Sequence, residues 1–101
     1  MKVLIKNPGE TPILGAEIAN TLESLQQHVG GNIETVRCCK DLTIICNEEG
    51  LLRGLPYNCT ICGADFVGPI IICGVDGDEF CSVPVDDWRT MEALLPQLWE
   101  V

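Results

Sequence analysis

The stretch Gly68–Val83 constrains the fold more than any other part of this 101-residue chain. Gly68-Pro69 opens a segment, Ile70-Ile71-Ile72-Cys73 is an unbroken strand-forming run, and Asp76-Gly77 is a preferred two-residue hairpin turn. Asp78 to Val83 then reads as the returning strand. Such a turn sets Cys73 opposite Phe80 and Cys81 opposite Ile72, so the two thiols fall on opposite faces of the ribbon.

Lys2–Lys6 (KVLIK) reads as a first strand, closed by the turn cluster Asn7-Pro8-Gly9. Ile13–Ile18 returns as a second, weakened by Gly15. Asn20 or Thr21 is placed to cap a helix, with Glu23 at the positive end of its dipole. Leu22, Leu25 and Val29 recur at helical spacing before Gly30-Gly31 ends it. His28 falls in the last turn, where an imidazole suits the helix C-terminus and has no partner for ligation or catalysis. Asn32–Cys39 and Leu42–Cys46 read as two more strands. Successive residues of a strand point to opposite faces, so Cys38 and Cys39 cannot both face the core. Asn47–Gly50 is a polar turn, and Gly54–Asn58 a loop in which Pro56 holds Leu55 extended. After the hairpin, Pro84 suits a first helical turn and Asp86-Asp87 its positive end. Trp88, Met91, Leu94 or Leu95, and Leu98 share one side of that last helix, which Pro96 kinks or ends.

The pattern predicts a single α+β domain over residues 1–101, with a mixed or antiparallel sheet of about five to six strands. One central and one C-terminal helix complete the order ββαββ-ββα. Its opening is similar in topology to a β-grasp domain.

Net charge is −9 and unevenly spread. Residues 1–58 hold seven acids and five bases, or −2, whereas residues 59–101 hold eight acids and only Arg89, or −7. A surface of this sign repels phosphate backbones and anionic headgroups, so neither direct nucleic-acid binding nor membrane binding is expected. A basic protein partner, or one that itself binds nucleic acid, is the compatible kind. The seven cysteines are an odd number, MKVLIKNPGE holds no signal-peptide core, and no segment approaches a membrane span. The expected setting is therefore the cytoplasm, with reduced thiols.

Cys59-Thr60-Ile61-Cys62, followed by Gly63, is the one motif that invites a metal. Cys59 and Cys62 would form a zinc knuckle, and Cys73 and Cys81 would supply the remaining thiolates. A second Cys-x-x-Cys is missing, and the hairpin geometry separates Cys73 from Cys81. A redox pair needs thiols of depressed pKa at a helix N-terminus, but Gly63-Ala64-Asp65 opens no helix and the neighbouring charges are acidic. The favoured reading makes most of the cysteines small hydrophobes in strands. Asp76-Gly77-Asp78-Glu79 lacks calcium-loop spacing and reads as a solvated hairpin tip. Glu48-Glu49, consecutive in a turn, point outward into water rather than forming a general acid/base pair. With one His and no nucleophile–base pair, neither catalytic residues nor a cofactor are predicted, and the chain is not expected to be an enzyme.

Thr21-Leu-Glu-Ser-Leu, Val29-Gly-Gly-Asn-Ile-Glu34, Ile45-Cys-Asn-Glu-Glu-Gly50 and Gly54-Leu-Pro-Tyr-Asn58 resemble a family of small bacterial proteins of unknown function. Its members sit mainly on conjugative elements, plasmids and phages. The resemblance covers nearly the whole chain and implies an α+β domain in a mobile-element context, with no catalytic residues to carry over. The family pattern has other residues where Cys59 and Cys62 stand, so a metal or redox role would not be shared.

Two functions of different class follow. The first is an acidic protein-interaction module, blocking a nucleic-acid-binding partner by mimicking the charge of its ligand. Its binding residues are Asn47, Glu48, Glu49, Leu55, Tyr57, Asn58, Asp76, Asp78 and Glu79. The alternative is a small-ligand or zinc-binding domain using the Asn47–Tyr57 loop with Cys59 and Cys62. Edge strands on so small a domain also suit pairing between protomers, which makes a homodimer compatible with either.

Overall fold

The run of isoleucines becomes the centre of the sheet. The computed structural model describes residues 1–39, 41–85 and 88–89. In chain order its elements are β1 (Lys2–Lys6), β2 (Ile13–Glu17), α1 (Leu22–Val29), β3 (Ile33–Cys39), β4 (Leu42–Asn47), β5 (Tyr57–Ile61), β6 (Ala64–Val67), β7 (Ile70–Asp76) and β8 (Glu79–Cys81). The main sheet has the order β2-β1-β7-β4-β3, with β8 also on β7, and β5-β6 form a separate hairpin. All these pairings are antiparallel.

β7 is buried on both faces because each face has its own cover. Ile71 and Cys73 join Val3, Ile5 and Ile45 beneath Leu25 and Val29 of α1. Ile70 and Ile72 join Leu4, Ile44 and Cys46 beneath Cys59, Ile61 and Phe66 of the β5-β6 hairpin. The architecture is thus three layers: helix, sheet, hairpin. Ile70, Ile71, Ile72 and Cys73 have no exposed surface. Burying each isoleucine contributes about 1.5–3 kcal/mol, which makes β7 the strand that most stabilises the domain.

The helix begins and ends where the sequence says. Thr21 is the N-cap, its Oγ1 accepting from the Ser24 N–H at 3.1 Å. At the other end the N–H groups of Gly30 and Gly31 both return to the Gln26 carbonyl, at 2.8 and 3.1 Å.

Three expectations are corrected. The sheets hold eight strands rather than five or six, because residues 57–67, read as loop and irregular chain, form β5 and β6. The turn between them is Cys62-Gly63, with φ of 51° and 80°. Two successive positive φ values make a type I′ turn, and a cysteine in the first position gives no sequence signal for it. The second hairpin turn is Gly77-Asp78 rather than Asp76-Gly77, since Asp76 pairs with Glu79 and Gly74 with Cys81. Cys73 and Cys81 still face opposite sides, because they occupy positions of opposite parity in that register. The β-grasp likeness also fails. β1 has β2 and β7 as antiparallel neighbours, so β7 lies between β1 and β4, which a β-grasp would pair directly. The expected C-terminal helix lies outside the described residues except for Trp88 and Arg89, which are helical. The side chains of Cys38 and Cys39 lie outside them as well.

Where β8 leaves β7 the chains approach closely. A Cβ at Gly74 would collide with the Ser82 carbonyl oxygen and stand 2.9 Å from Cys81 Sγ. Ser82 in turn is fixed by β1, its Oγ accepting from the Lys2 N–H at 2.8 Å. Gly74→Ala is therefore expected to lower stability by about 1–3 kcal/mol, read as an earlier urea midpoint with an unchanged slope.

Candidate functional site: an acidic groove beside the β3 edge

β3 and β4 run on past the hairpin that covers the middle of the sheet, and a groove of about 400 Å³ opens there. Its floor is Cys46 and Phe66, one wall is Glu34 and Val36 of β3, and the other is Ala64–Val67 of β6. Leu51 and Leu52 close one end. These two leucines are 82% and 87% exposed, far more than apolar side chains of that size usually remain. Three acidic residues, Glu34, Glu48 and Asp65, line the same opening.

Asn47 positions the loop that carries the leucines. It is buried, and its Nδ2 donates to the Val29 carbonyl at 3.1 Å, tying β4 to the end of α1. Its Oδ1 accepts from the Glu49 N–H at 2.8 Å, forming an Asx turn that throws Glu48 and Glu49 outward. Arg53 anchors the far side of the loop, its Nη1 donating to the Gly30 carbonyl at 2.8 Å.

Asn58 fastens the hairpin over the sheet. Tyr57 pairs with Val67 and Cys59 with Phe66, so Asn58 is the extra residue of a β-bulge. The bulge turns its side chain inward, where Nδ2 donates to the carbonyls of Lys6 (2.8 Å) and Gly68 (2.7 Å). Tyr57, 59% exposed, begins a short relay on the outer face. Thr60 gives its one hydroxyl proton to Asp65 Oδ1 (2.6 Å), so the Tyr57 hydroxyl must donate to Thr60 (2.6 Å). That relay ties the Asp65 carboxylate to the hairpin.

Of the sequence-predicted binding residues, Asn47 and Glu48 line the groove, while Glu49 and Leu55 belong to the adjoining loop. Leu55 packs over Gly68 and Gly50. Asn58 is interior and structural, and Tyr57 is exposed on the hairpin. Asp76, Asp78 and Glu79 stand elsewhere. β7 and β4 are antiparallel with Gly74 opposite Leu42, so the β7-β8 tip is at the opposite end of the sheet from Asn47. Glu34, Cys46, Leu51, Leu52, Asp65 and Phe66 escaped the sequence reading. The adjacent leucines after a polar turn were the available signal. Asp65 and Phe66 needed the β5-β6 hairpin to be recognised first.

The thiols of the Cys-x-x-Cys motif part company. Cys59 is buried on the hairpin side of the sheet, and Cys62 is exposed in the type I′ turn. Cys73 is buried on the helix side, and Cys81 is half-buried beside Gly74. Among the described residues, three or more His, Cys, Asp or Glu side chains nowhere gather as a metal site. Cys46 Sγ lies 3.7 Å from the Glu34 carbonyl and 3.9 Å from its Oε2. Burial, reinforced by the Glu34 charge, pushes the Cys46 thiol up to about 11 from an ordinary 9.0. Burial, with the neighbouring carboxylate adding to it, thus keeps this thiol protonated at neutral pH and makes no nucleophile of it.

Fold and groove together define a small α+β domain with an open-sided acidic cleft next to an edge strand. Residues 1–95 match the family described as a domain of unknown function, DUF3846, and the chain belongs to that family. Neither the curated proteins nor the solved structures contain a match to the chain. No helix among the described residues is long and apolar enough to cross a membrane.

Two tests follow from the site. Asn58→Asp aims a carboxylate at two carbonyl oxygens and should cost about 3 kcal/mol or more at neutral pH. Because that site raises the carboxyl's pKa, the loss should shrink as pH falls from neutral toward about 4 and level off below it, where the unfolded carboxyl also protonates. Urea melts at both pH values read this. Burial also raises the thiols of Cys59 and of Cys73, the latter to about 12. The folded state thus holds protons that the unfolded chain releases above a thiol's ordinary 9.0. Stability should be full below that pH and decline as pH rises toward about 12, while Cys62 alkylates at neutral pH well before Cys73.

Proposed function

We propose that this domain is an acidic protein-interaction module of a mobile genetic element, acting in the cytoplasm by docking on a basic protein. Its partner is of the nucleic-acid-binding kind, and the domain's carboxylates occupy the surface that otherwise holds phosphates. The observation that carries this reading is the groove, where Glu34, Glu48 and Asp65 surround two almost fully exposed leucines. Exposed apolar side chains ringed by one sign of charge suit an interface: the leucines supply buried area, and the carboxylates steer and orient an oppositely charged partner. The net charge of −9 acts in the same direction over longer range. The mobile-element setting is supported by the resemblance of Ile45–Gly50 and Gly54–Asn58 to the family found on such elements. The thiol on the groove floor, Cys46, is held protonated chiefly by burial despite the Glu34 carboxylate beside it, which favours binding over turnover.

The test is affinity capture from native-host lysate on the tagged domain, eluted with rising salt. A basic partner should elute early, its affinity falling about tenfold or more from low to physiological ionic strength. Nucleic acid should compete with the domain for that partner. Reversing the groove charges that make no hydrogen bond within the hairpin (Glu34→Lys, Glu48→Lys) should abolish capture without lowering the melting temperature. Capture of nothing, or of a protein indifferent to salt and to those substitutions, refutes the reading.

A further inference from the structure

The groove runs alongside an edge strand, and the two edges of the sheet are built differently. β2, at one edge, is interrupted. Lys2 pairs with Glu17 and Val3 with Ala16, but the register then jumps to Ile5 with Ile13, and Gly15 has a φ of +73°. Trp88 also covers this edge, its ring about 3.3 Å from a Cβ at Gly15. A bulged and covered edge resists strand addition. β3, at the other edge, stays in regular register with β4 from Ile33 to Arg37.

The hydrogen-bond phase of that edge can be worked out. The Glu48 N–H donates to the Asn32 carbonyl at 2.8 Å. In an antiparallel ladder directly opposed residues alternate between bonded and non-bonded pairs, so Glu34 with Cys46 and Val36 with Ile44 are bonded pairs too. The backbone N–H and C=O groups of Ile33 and Thr35 therefore point away from β4, toward the outside of the sheet. The side chains alternate as well: Glu34 and Val36 face the groove, whereas Ile33 and Thr35 face the helix side.

The geometry points to strand addition: an extended cationic segment of a partner protein pairs with β3 and lays alternate side chains into the acidic groove. This rests on the proposed interaction function and names its surface and its occupant. Charge complementarity selects that occupant. On the groove side, each incoming residue meets Glu34, Glu48 or Asp65 at the rim and Val36, Leu51 or Phe66 below it. Lysine and arginine fit such a place, with apolar stems on the floor and charged heads at the carboxylates. On the other side the neighbours are Ile33 and Thr35, which suit β-branched residues. The matching sequence is an alternation of basic and β-branched residues. A second copy of this chain would instead bring its own Glu34 against the same carboxylates, and like charges across a strand pair are unfavourable.

The test uses a fluorescent Lys-Val-Lys-Val-Lys-Val-Lys-Val peptide and a version N-methylated on alternate residues. N-methylation keeps the charge and removes the backbone donors on one edge. The full chain is titrated at low ionic strength, with binding mapped on its backbone amides by NMR. Shifts are expected at residues 33–36 and at Leu51 and Leu52, and N-methylation on the bonding edge should weaken binding about tenfold or more. Thr35→Pro should weaken it to a similar degree, since proline is tolerated on an edge strand where its missing N–H faced solvent. Should that variant unfold, the N-methylated peptide on unaltered protein still decides. Binding indifferent to N-methylation, or mapped to the Asp76–Glu79 tip, overturns strand addition but leaves the acidic-module reading standing. A self-dimer that Thr35→Pro dissolves also overturns it, by giving the edge a different occupant. Failure of both peptides to bind at low salt overturns both.

Discussion

Everything in this domain depends on one strand being covered twice. The Ile70–Cys73 run of β7 cannot face water on either side, so the fold must supply two apolar layers. α1 serves as one, and the β5-β6 hairpin as the other. Each cover makes only part of a layer, and that is the origin of the groove: the hairpin spans the middle of the sheet and stops short of β3. Residues that would be interior in a wider sandwich, such as Cys46, become the floor of an opening. The candidate site thus follows from a mismatch in width between a two-stranded cover and the sheet beneath it.

Such a core also explains the cysteine content. With five aromatic residues in the chain, interior volume must come from branched aliphatics and other small apolar groups. Cys46, Cys59 and Cys73 occupy three core positions on two faces of the sheet, each with its thiol pKa raised chiefly by burial. A buried protonated thiol packs as a hydrophobe. Cys62, by contrast, is exposed in the hairpin turn, where it holds a positive φ that non-glycine residues seldom adopt.

Legibility in the sequence followed the strength of local signals. β1, the α1 caps, β4 and the β7-β8 hairpin were readable because alternation, capping residues and turn dipeptides each act over a few positions. The opposite-face placement of Cys73 and Cys81 survived a one-residue error in the turn, because moving the loop changed partners without bringing the two thiols into the same parity. β5 and β6 were missed for a physical reason. Five and four residues long, they depend on Asn58 bonding to β1 and to the β6-β7 connection, and sequence separation hides such contacts. That omission cost the reading of the site, as Asp65 and Phe66 enter the groove only once the hairpin is folded back. It also let the Asp76–Glu79 tip be grouped with the Asn47 loop, although antiparallel pairing puts them at opposite ends.

The exposed β3 edge raises a question of specificity that its charges answer. An open, regular edge is a hazard, because any extended chain can add to it. Glu34 sits in the middle of that edge with Glu48 and Asp65 nearby, so another copy of this acidic chain meets repulsion at each groove-side position. A cationic segment meets attraction at the same positions, with identical backbone bonding in either case. The hydrogen bonds of the edge supply affinity without discrimination, and the carboxylates supply discrimination at little structural cost, since they stand at the solvent boundary. One arrangement therefore suppresses self-association and selects a partner, which is how specificity arises when a repulsive element is built into the same surface as the attractive one.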